Sequence, residues 1–300
     1  MTEARARAYG LLSRLLLSGG DIAPDMVAYF VDGDVDLEKA ATSYVATFDL
    51  GVPPYASTFL AEDGRVGGAR TGQIADEIVR DGFMPITDEV AACHLGVLLG
   101  HMYALWATGR EDRARAFARD HIASWITPLA SAVAAVDDGL WAAVVAMIAD
   151  LTLDDASKAG DRSADPAHAP PAHPLVDDAS GLRDVAEFLA KPARCGLFLT
   201  DAECARIGRE YDLPRGFGHR RARIETQLGS AAEYGRVGDL ANAWLALVDR
   251  REAALRETED DAPSLATVQS VWHARLQTTR EMLETLREGA RQALTQQAAG

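Results

Sequence analysis

Two adjacent prolines, Pro53 and Pro54, place the strongest constraint on how this chain can fold. Each proline fixes its own φ angle and lacks a backbone N–H donor, and Pro53 also pushes Val52 towards an extended conformation. A helix that approaches from the N-terminal side must therefore end here. Tyr55 and Ser57, which follow at once, are predicted to lie on a rigid corner.

Length and composition favour two globular domains. The chain has 300 residues, more than the roughly 100–200 of a usual domain, and 48% of them are hydrophobic, which is ample for buried cores. No run approaches the roughly 20 apolar residues of a membrane span, and the N-terminus lacks the apolar stretch of a secretory signal. We therefore expect a cytoplasmic protein without a membrane span.

Cysteine usage and charge exclude several classes of site. Cys93, Cys195 and Cys204 are odd in number and widely spaced, which predicts buried, inert thiols rather than disulfides or a zinc site. The net charge of −15 argues against a nucleic-acid partner, because phosphate contacts need a basic face and no sufficiently long Lys/Arg cluster stands out. The acidity has two explanations, simple solubility or the steering of a basic ligand.

Hydrophobic periodicity predicts helices along most of the chain and no convincing strand, so the fold class is all-α. Thr200 and Glu203 form a capping box at the start of one helix. The predicted helices cover residues 6–17, 37–48, 72–81, 87–108, 110–138 with a break or kink at Pro128, 140–153, 182–190, 201–211, 219–234, 239–257 and 265–294.

The composition changes between residues 154 and 181, where Asp, Ser, Ala and Pro accumulate and no periodic apolar face is present. Such a stretch is typical of a linker or a disordered loop. We therefore divide the chain into an N-terminal domain of residues 1–155, a linker of residues 156–181 and an accessory all-helical domain of residues 182–300.

The order of motifs in the first half resembles a known family. The motifs are Pro53-Pro-Tyr-Ala-Ser57, Gly64-Arg-Val-Gly-Gly68, His94-Leu-Gly-Val-Leu-Leu-Gly-His-Met-Tyr-Ala-Leu105, and His121-Ile-Ala-Ser-Trp125 followed by Pro128. Over residues of about 9–153 they resemble the TorD/DmsD/NarJ family, cytoplasmic chaperones that mature molybdenum enzymes. The resemblance implies a TorD-like helical bundle followed by a second helical module.

The chain departs from the family pattern where a ligand is expected. The Glu-Pro-x-Asp-His signature of the family, associated with peptide binding, is here Val90-Ala-Ala-Cys-His94, so only the histidine is retained. Leu98 and His101 stand where acidic or larger residues are common. These departures concern the ligand and leave the expected fold unchanged.

The resemblance implies binding of the N-terminal, twin-arginine-type signal segment of a molybdopterin oxidoreductase subunit, with help in cofactor insertion and assembly before export. A basic and then apolar segment needs an acidic surface and an apolar groove. The predicted peptide-binding residues are Pro54, Tyr55, Ser57, His94, Leu95, Leu98, Met102 and Trp106. The last four also have the spacing of a buried helix face, which is the usual position of such residues, and Tyr55 and Ser57 could simply hydrogen-bond the turn.

Catalytic motifs are not found: the sequence has no nucleophile elbow, no His-Glu-x-x-His and no phosphate-binding loop. His94 and His101 lie two helical turns apart, too far for easy shared metal ligation, and His121 is interpreted as structural. We expect no catalysis, no cofactor and no metal, with the client subunit as partner and a homodimer left open. The alternative is a helical assembly or regulatory scaffold that pairs through residues 265–294.

Overall fold

The computed structural model describes residues 2–21, 36–84, 87, 90–160, 173–176 and 180–299, with side chains through residue 296. The chain forms two compact units. The first contains Met1–Ala164 and Glu259–Val268, and the second contains Asp165–Thr258 and Gln269–Gly300. The chain therefore leaves the first unit, returns to it for a short segment and leaves it again. The sequence-based boundaries at 155 and 182 stay predictions.

Eight α-helices lie in the described part of the chain before residue 161, and a π-helical turn, Val45–Asp49, follows the second of them. They are α1 Thr2–Leu17, α2 Leu37–Tyr44, α3 Ala56–Leu60, α4 Ala69–Arg80, α5 Leu95–Ala107, α6 Glu111–His121, α7 Ile126–Ala134 and α8 Leu140–Ser157.

Six more α-helices follow from residue 180 onward. They are α9 Leu182–Leu189, α10 Pro192–Cys195, α11 Asp201–Glu210, α12 Arg220–Glu233, α13 Val237–Asp261 and α14 Ala266–Ala299, with single 3-10 turns at Pro174–Val176 and Pro263–Leu265. The all-α prediction is confirmed, because the described residues contain no strand beyond one isolated bridge.

The prediction that a helix begins at Thr87 is wrong. Among the described residues, 90–94 are not helical, and α5 begins only at Leu95. The reason is that backbone groups of residues 93–95 bond to another segment of the chain and cannot start a helix earlier. The break expected at Pro128 lies at residues 122–125, and Pro128 falls in the first turn of α7, where its missing N–H costs nothing.

Helix α5 is the centre of the first unit, and ten of its thirteen residues are buried. Helix α1 packs against it at close range. The Ser13 hydroxyl donates to the Gly96 carbonyl at 2.7 Å, and a Cβ on Gly96 would lie 2.7 Å from Cγ of Leu17. The absence of a side chain at residue 96 is therefore what allows this approach.

A buried carboxylate on α8 joins α8 to α1 and α5. Asp155 is 1% exposed and accepts hydrogen bonds from the Tyr9 hydroxyl at 2.5 Å and from Trp106 Nε1 at 3.2 Å. Arg5 pairs with it at 2.8 Å. Burial raises the pKa of Asp155, and the bonds from these three partners oppose that rise. The cluster supplies three donors to a carboxylate that has no access to water.

The second unit has its own core, in which Trp244 of α13 and Trp272 of α14 are among the largest buried side chains. The predicted capping box at α11 is confirmed: Glu203 N donates to Thr200 Oγ1 at 3.1 Å, and Thr200 N donates to Glu203 Oε2 at 3.1 Å. Arg251 pairs with the other Glu203 oxygen at 2.7 Å, so this buried carboxylate also fixes α13 to α11.

All three cysteines are free and buried, as predicted. Burial raises the pKa of Cys195 and of Cys204 to about 11, so both thiols stay protonated and unreactive near neutral pH. Among the helices that the structure describes, none is long and apolar enough to cross a membrane.

Candidate peptide-binding site

The two segments that carry the most specific motifs meet at a corner of the first unit. Residues 54–56 run antiparallel to residues 93–95, and two backbone hydrogen bonds of 2.9 and 2.8 Å join them. They form an isolated bridge between Tyr55 and His94. Pro54 cannot continue a helix, and its carbonyl is free to act as one of the two acceptors. The structure thus brings together Pro54, Tyr55 and His94, which sequence analysis assigned to one site.

Gly51 allows the chain to reach this corner. A Cβ at residue 51 would lie 2.7 Å from the Thr47 carbonyl oxygen and 2.8 Å from that of Ala46, closer than real Cβ contacts allow. Val52 N donates to the same Thr47 oxygen at 2.6 Å, and the Val52 side chain is fully buried. The turn that leads from the π-helical segment into Pro53 is therefore tight, and only glycine fits its crowded position.

His94 is buried and caps α5. Its Nδ1 accepts from Gly96 N at 3.1 Å, and its ring meets the Tyr55 ring edge-on with 4.8 Å between centroids. Burial lowers the pKa of His94 to about 4, so the imidazole is neutral near pH 7 and carries its proton on Nε2. At neutral pH the residue provides a helix cap and a packing surface without a positive charge.

Ser57 lies behind the corner with no exposed surface. Its Oγ is 3.3 Å from Cys93 Sγ, and Thr71 Oγ1 of α4 donates to the same sulfur at 3.1 Å. These contacts fasten α4 to the corner. In the described geometry Ser57 serves the internal hydrogen-bonding role that was its alternative, and its contact with a peptide stays a prediction.

The four residues of α5 that sequence analysis placed on a groove lie in the interior of the first unit. Leu95, Leu98 and Met102 have no exposed surface, and Trp106 is 4% exposed with its Nε1 bonded to Asp155. This burial fits the alternative of a core face. Contact with a peptide would require α5 to separate from its neighbours, so their role as groove walls stays a prediction.

An exposed strip next to the corner combines an acid with apolar side chains. Val45 and Leu50 are 40% and 74% exposed, and Asp49 beside Leu50 is exposed as well. Burial, then Cys93, then Asp49 raise the pKa of Tyr55, so the Asp49 carboxylate acts on the Tyr55 phenol. We name Val45, Asp49, Leu50 and Tyr55 the corner strip. Sequence analysis missed it, because no local pattern shows that Leu50, three residues before Pro53, is exposed to water.

A second polar group of the first unit is an ionic cluster between α4, α5 and α6. His101 Nε2 lies 2.9 Å from Asp81 Oδ2, His121 Nε2 lies 2.8 Å from Glu77 Oε2, and Arg113 pairs with both carboxylates. Burial alone would raise the pKa of Glu77, but the bonds from His121 and Arg113 outweigh it and lower this pKa to about 2. Within the described ranges, no three His, Cys, Asp or Glu side chains are arranged to hold a metal ion.

Helical packing around α5, with a corner that joins the two motif segments, gives the all-α domain that the motifs predicted. Residues 15–131 match the family model described as the nitrate reductase delta subunit, a family of the NarJ/TorD chaperone type. The predicted resemblance is thereby confirmed for this segment, which includes the corner and helices α2 to α6. This family consists of assembly factors that mature molybdoenzymes rather than of catalysts. No curated protein and no solved structure matches the chain.

Proposed function

We propose that the protein is a cytoplasmic maturation chaperone that binds the N-terminal, twin-arginine-type signal segment of a molybdopterin oxidoreductase subunit. It keeps that segment from export until cofactor insertion and assembly are complete. The observation that carries the proposal is the corner strip, which lies inside the family-matched segment and exposes Asp49 and Leu50 beside Tyr55. A segment with arginines followed by apolar residues needs a carboxylate and an apolar surface close together.

The charge around the corner strip supports the same partner. Residues 36–63 contain five exposed carboxylates and a single lysine. Their joint field attracts a basic segment before contact, and it weakens as salt is added. Steering by this field is the explanation of the acidity that we adopt for this part of the chain.

The predicted site residues have different parts in this proposal. Tyr55 contacts the segment, whereas Ser57, His94 and the buried Pro54, whose carbonyl accepts from Leu95 N, hold Tyr55 in position. The α5 set of Leu95, Leu98, Met102 and Trp106 contacts the segment only in a state in which α5 has moved away from its neighbours. Binding at the corner strip does not require that movement, because Val45, Asp49 and Leu50 are exposed and Tyr55 is partly exposed.

The test uses the full-length protein and a fluorescent synthetic peptide that carries a twin-arginine motif followed by an apolar stretch. The double variant Asp49→Lys and Leu50→Ser is expected to weaken binding at least tenfold in an anisotropy titration. The matched control is Asp76→Lys with Val79→Ser, an exposed acid and apolar pair on α4. It should bind within twofold of the wild type. Equal loss in both variants, or no binding by the wild type, contradicts the proposal.

The scaffold alternative, pairing through the C-terminal helices, is tested on the same full-length chain. Truncation after residue 180 is unsuitable because Glu259–Val268 belong to the first unit, where Leu265 is 1% exposed and Ser264 Oγ donates to the Ser157 carbonyl at 3.1 Å. Leu294→Ser, which alters a half-exposed side chain of α14, avoids this damage. A scaffold loses its partner in this variant, and a chaperone keeps its peptide.

A further inference from the structure

Helix α4 is attached to the first unit mainly through polar side chains. Of its twelve residues, only Ile74 and Ile78 are buried, whereas α5 buries ten of its thirteen. The rest of the attachment consists of the ionic cluster and of two polar contacts near the start of α4. An element with little buried apolar surface detaches at a lower free-energy cost than the core around it. Helix α4 is therefore a candidate for a mobile element.

Two contacts align α4 with α5. Near the start of α4, Thr71 Oγ1 donates to Cys93 Sγ at 3.1 Å, and at its end Asp81 Oδ2 lies 2.9 Å from His101 Nε2. Helix α4 therefore runs in the same direction as α5, along the first half of α5. Leu98 has no exposed surface, and it shares a helix face with His101 three residues later. The part of α5 that α4 covers therefore includes Leu98.

A second set of contacts aligns α4 with α6 in the opposite direction. Arg110, directly before α6, bonds to Asp81 Oδ1 at 2.9 Å. At the other end, Arg70 Nη2 donates to the Asp120 carbonyl at 3.4 Å. Between these two contacts the ionic cluster links the same helices. Helix α4 thus lies along the groove that α5 and α6 form.

The groove under α4 is apolar. Phe117 of α6 is fully buried, and its ring centroid lies 4.6 Å from that of His101 on α5. Ile74 and Ile78 each lie three residues before a carboxylate of the ionic cluster, and therefore on the same side of α4. Their burial places them against the groove. Helix α4 is thus itself an amphipathic helix in a groove, with apolar anchors one turn apart.

Glycines with free space around them flank α4. Gly67 and Gly68 precede it with φ of +107° and +80°, and Gly82 follows it with φ of +82°. A Cβ at any of these positions would meet nothing within 4 Å. Glycine adopts positive φ values without strain, and the absence of close neighbours leaves the backbone free to rotate. Both ends of α4 therefore allow a hinge movement.

We propose that α4 is a hinged lid over the groove between α5 and α6, and that the apolar part of the client signal segment binds in this groove when the lid opens. This inference rests on the proposed function, in which the corner strip takes the basic part of the segment. The groove already accepts an amphipathic helix, which is the form that an apolar segment takes in such a site. Leu98, a predicted site residue, is covered only while the lid is closed. Asp76 and Val79 lie on the outer face of α4 and stay in water in both states.

Opening of the lid exchanges the partners of the charged groups. Glu77 and Asp81 lose Arg113 when α4 swings away, and a segment that carries arginines offers guanidiniums in its place. The Arg113 side chain is 27% exposed in the closed state, so it already reaches the water that will solvate it. A basic and apolar segment therefore favours the open state at both kinds of contact.

The first experiment measures the position of α4 by double electron–electron resonance on the full-length protein. Nitroxide labels are attached at Arg80→Cys, on the exposed end of α4, and at Met147→Cys, on the exposed face of α8. The three native cysteines are buried. The twin-arginine peptide with its apolar stretch should add a second distance, longer by about one helix diameter of roughly 10 Å. A peptide with the same arginines but a Ser/Gly stretch should leave the single distance of the free protein.

The second experiment loosens the lid with Arg113→Gln, because Arg113 alone pairs with both Glu77 and Asp81. The longer distance should then appear without peptide. The variant should bind the apolar peptide about threefold or more tightly than the control Arg7→Gln, since a larger fraction of molecules is open. The control removes an exposed arginine of α1 and so makes the same change in charge. Circular dichroism confirms that both variants are folded.

Two outcomes overturn the lid while the proposed function stands. One is binding of the apolar peptide by the wild type without a second distance, and the other is equal affinity of Arg113→Gln and Arg7→Gln. A second distance with the Ser/Gly peptide as well would overturn the assignment of the groove to the apolar part. If the wild type binds neither peptide, the proposed function fails, and an unchanged single distance in peptide-free Arg113→Gln then overturns the lid as well.

Discussion

The corner at residues 51–55 and the loop at residues 211–219 are made of the same kinds of residue and use them in opposite ways. Each combines proline and glycine with an aromatic side chain, and each has a histidine N-cap for a long helix, His94 for α5 and His219 for α12. In the corner the ring of Tyr55 packs on His94, and both are covered or partly covered. In the loop Phe217 and His219 are exposed.

The difference arises from pairing with a second segment of the chain. Residues 93–95 bond to the corner and cover it, whereas the described contacts of the 211–219 loop secure its base and leave its tip in water. A pattern of proline, glycine, aromatic and histidine therefore does not tell whether the aromatic is structural or available for recognition. The following predictions test this contrast, from the largest expected effect to the smallest.

Gly216→Ala should give the largest loss. The new Cβ would meet the Arg223 backbone at 2.8 Å in a conformation with φ of +75°, and we expect a destabilisation of about 3 kcal/mol. Urea unfolding of the full-length protein, followed by circular dichroism, measures it. The control Gly229→Ala lies within α12, where a Cβ meets nothing within 4 Å, and it should be neutral or stabilising. Similar losses in both would show that residue 216 does not hold this crowded, positive-φ conformation in solution.

Stability should depend on pH through His94. Its folded-state pKa of about 4 lies below the ordinary 6.5, so the unfolded chain binds the proton more readily and stability falls as the pH drops from 6.5 to 4. The variant His94→Asn keeps an acceptor for the helix cap but does not titrate in this range. Between pH 8 and pH 5, the unfolding free energy of the wild type should fall by about 2 kcal/mol relative to that of this variant. His219→Asn is the control at the exposed cap. A constant difference between wild type and His94→Asn across this range would contradict the buried, neutral assignment.

Tyr55→Ala should destabilise the first unit by about 1 kcal/mol. The change removes an edge-on contact with His94 from a ring that is only partly buried, and the backbone bridge is kept. Thermal and urea unfolding measure the loss, and Tyr55→Phe, which keeps the ring, should stay within about 0.5 kcal/mol of the wild type. No loss in the alanine variant would mean that the Tyr55 ring, like that of Phe217, makes no contact that stabilises the fold.

Phe217→Ala should have the smallest effect, a change in unfolding free energy of no more than about 0.5 kcal/mol, because the ring has little to lose in the free protein. The same urea experiment measures it beside Tyr55→Ala. A loss above about 1 kcal/mol would show that the ring is packed within the protein in solution.

Local chemistry explains which elements were predictable from the sequence. Apolar periodicity located most of the helices, and the Thr200 and Glu203 box marked the start of α11, because these signals involve residues within one or two turns of each other. The start of α5 was misplaced because its position depends on hydrogen bonds to residues about forty positions earlier. No local pattern carries that information.

The candidate site was predictable to a similar degree. Motif order pointed to Tyr55 and His94 together, and the structure joins them. Exposure of Asp49 and Leu50, and the pairing of Glu77 with Arg113 and His121, depend on which helices pack together. Such long-range contacts produce no recognisable residue spacing in a single sequence.

The return of Glu259–Val268 to the first unit has a consequence for the protein as it leaves the ribosome. Leu265 is almost completely buried, yet it is made about a hundred residues after α8 ends. At about 5–20 residues per second, the first unit must wait roughly 5–20 seconds for this last part of its core. The first unit is therefore finished only after residue 268 has been made, and a chain that stalls before this point would lack part of the core of that unit.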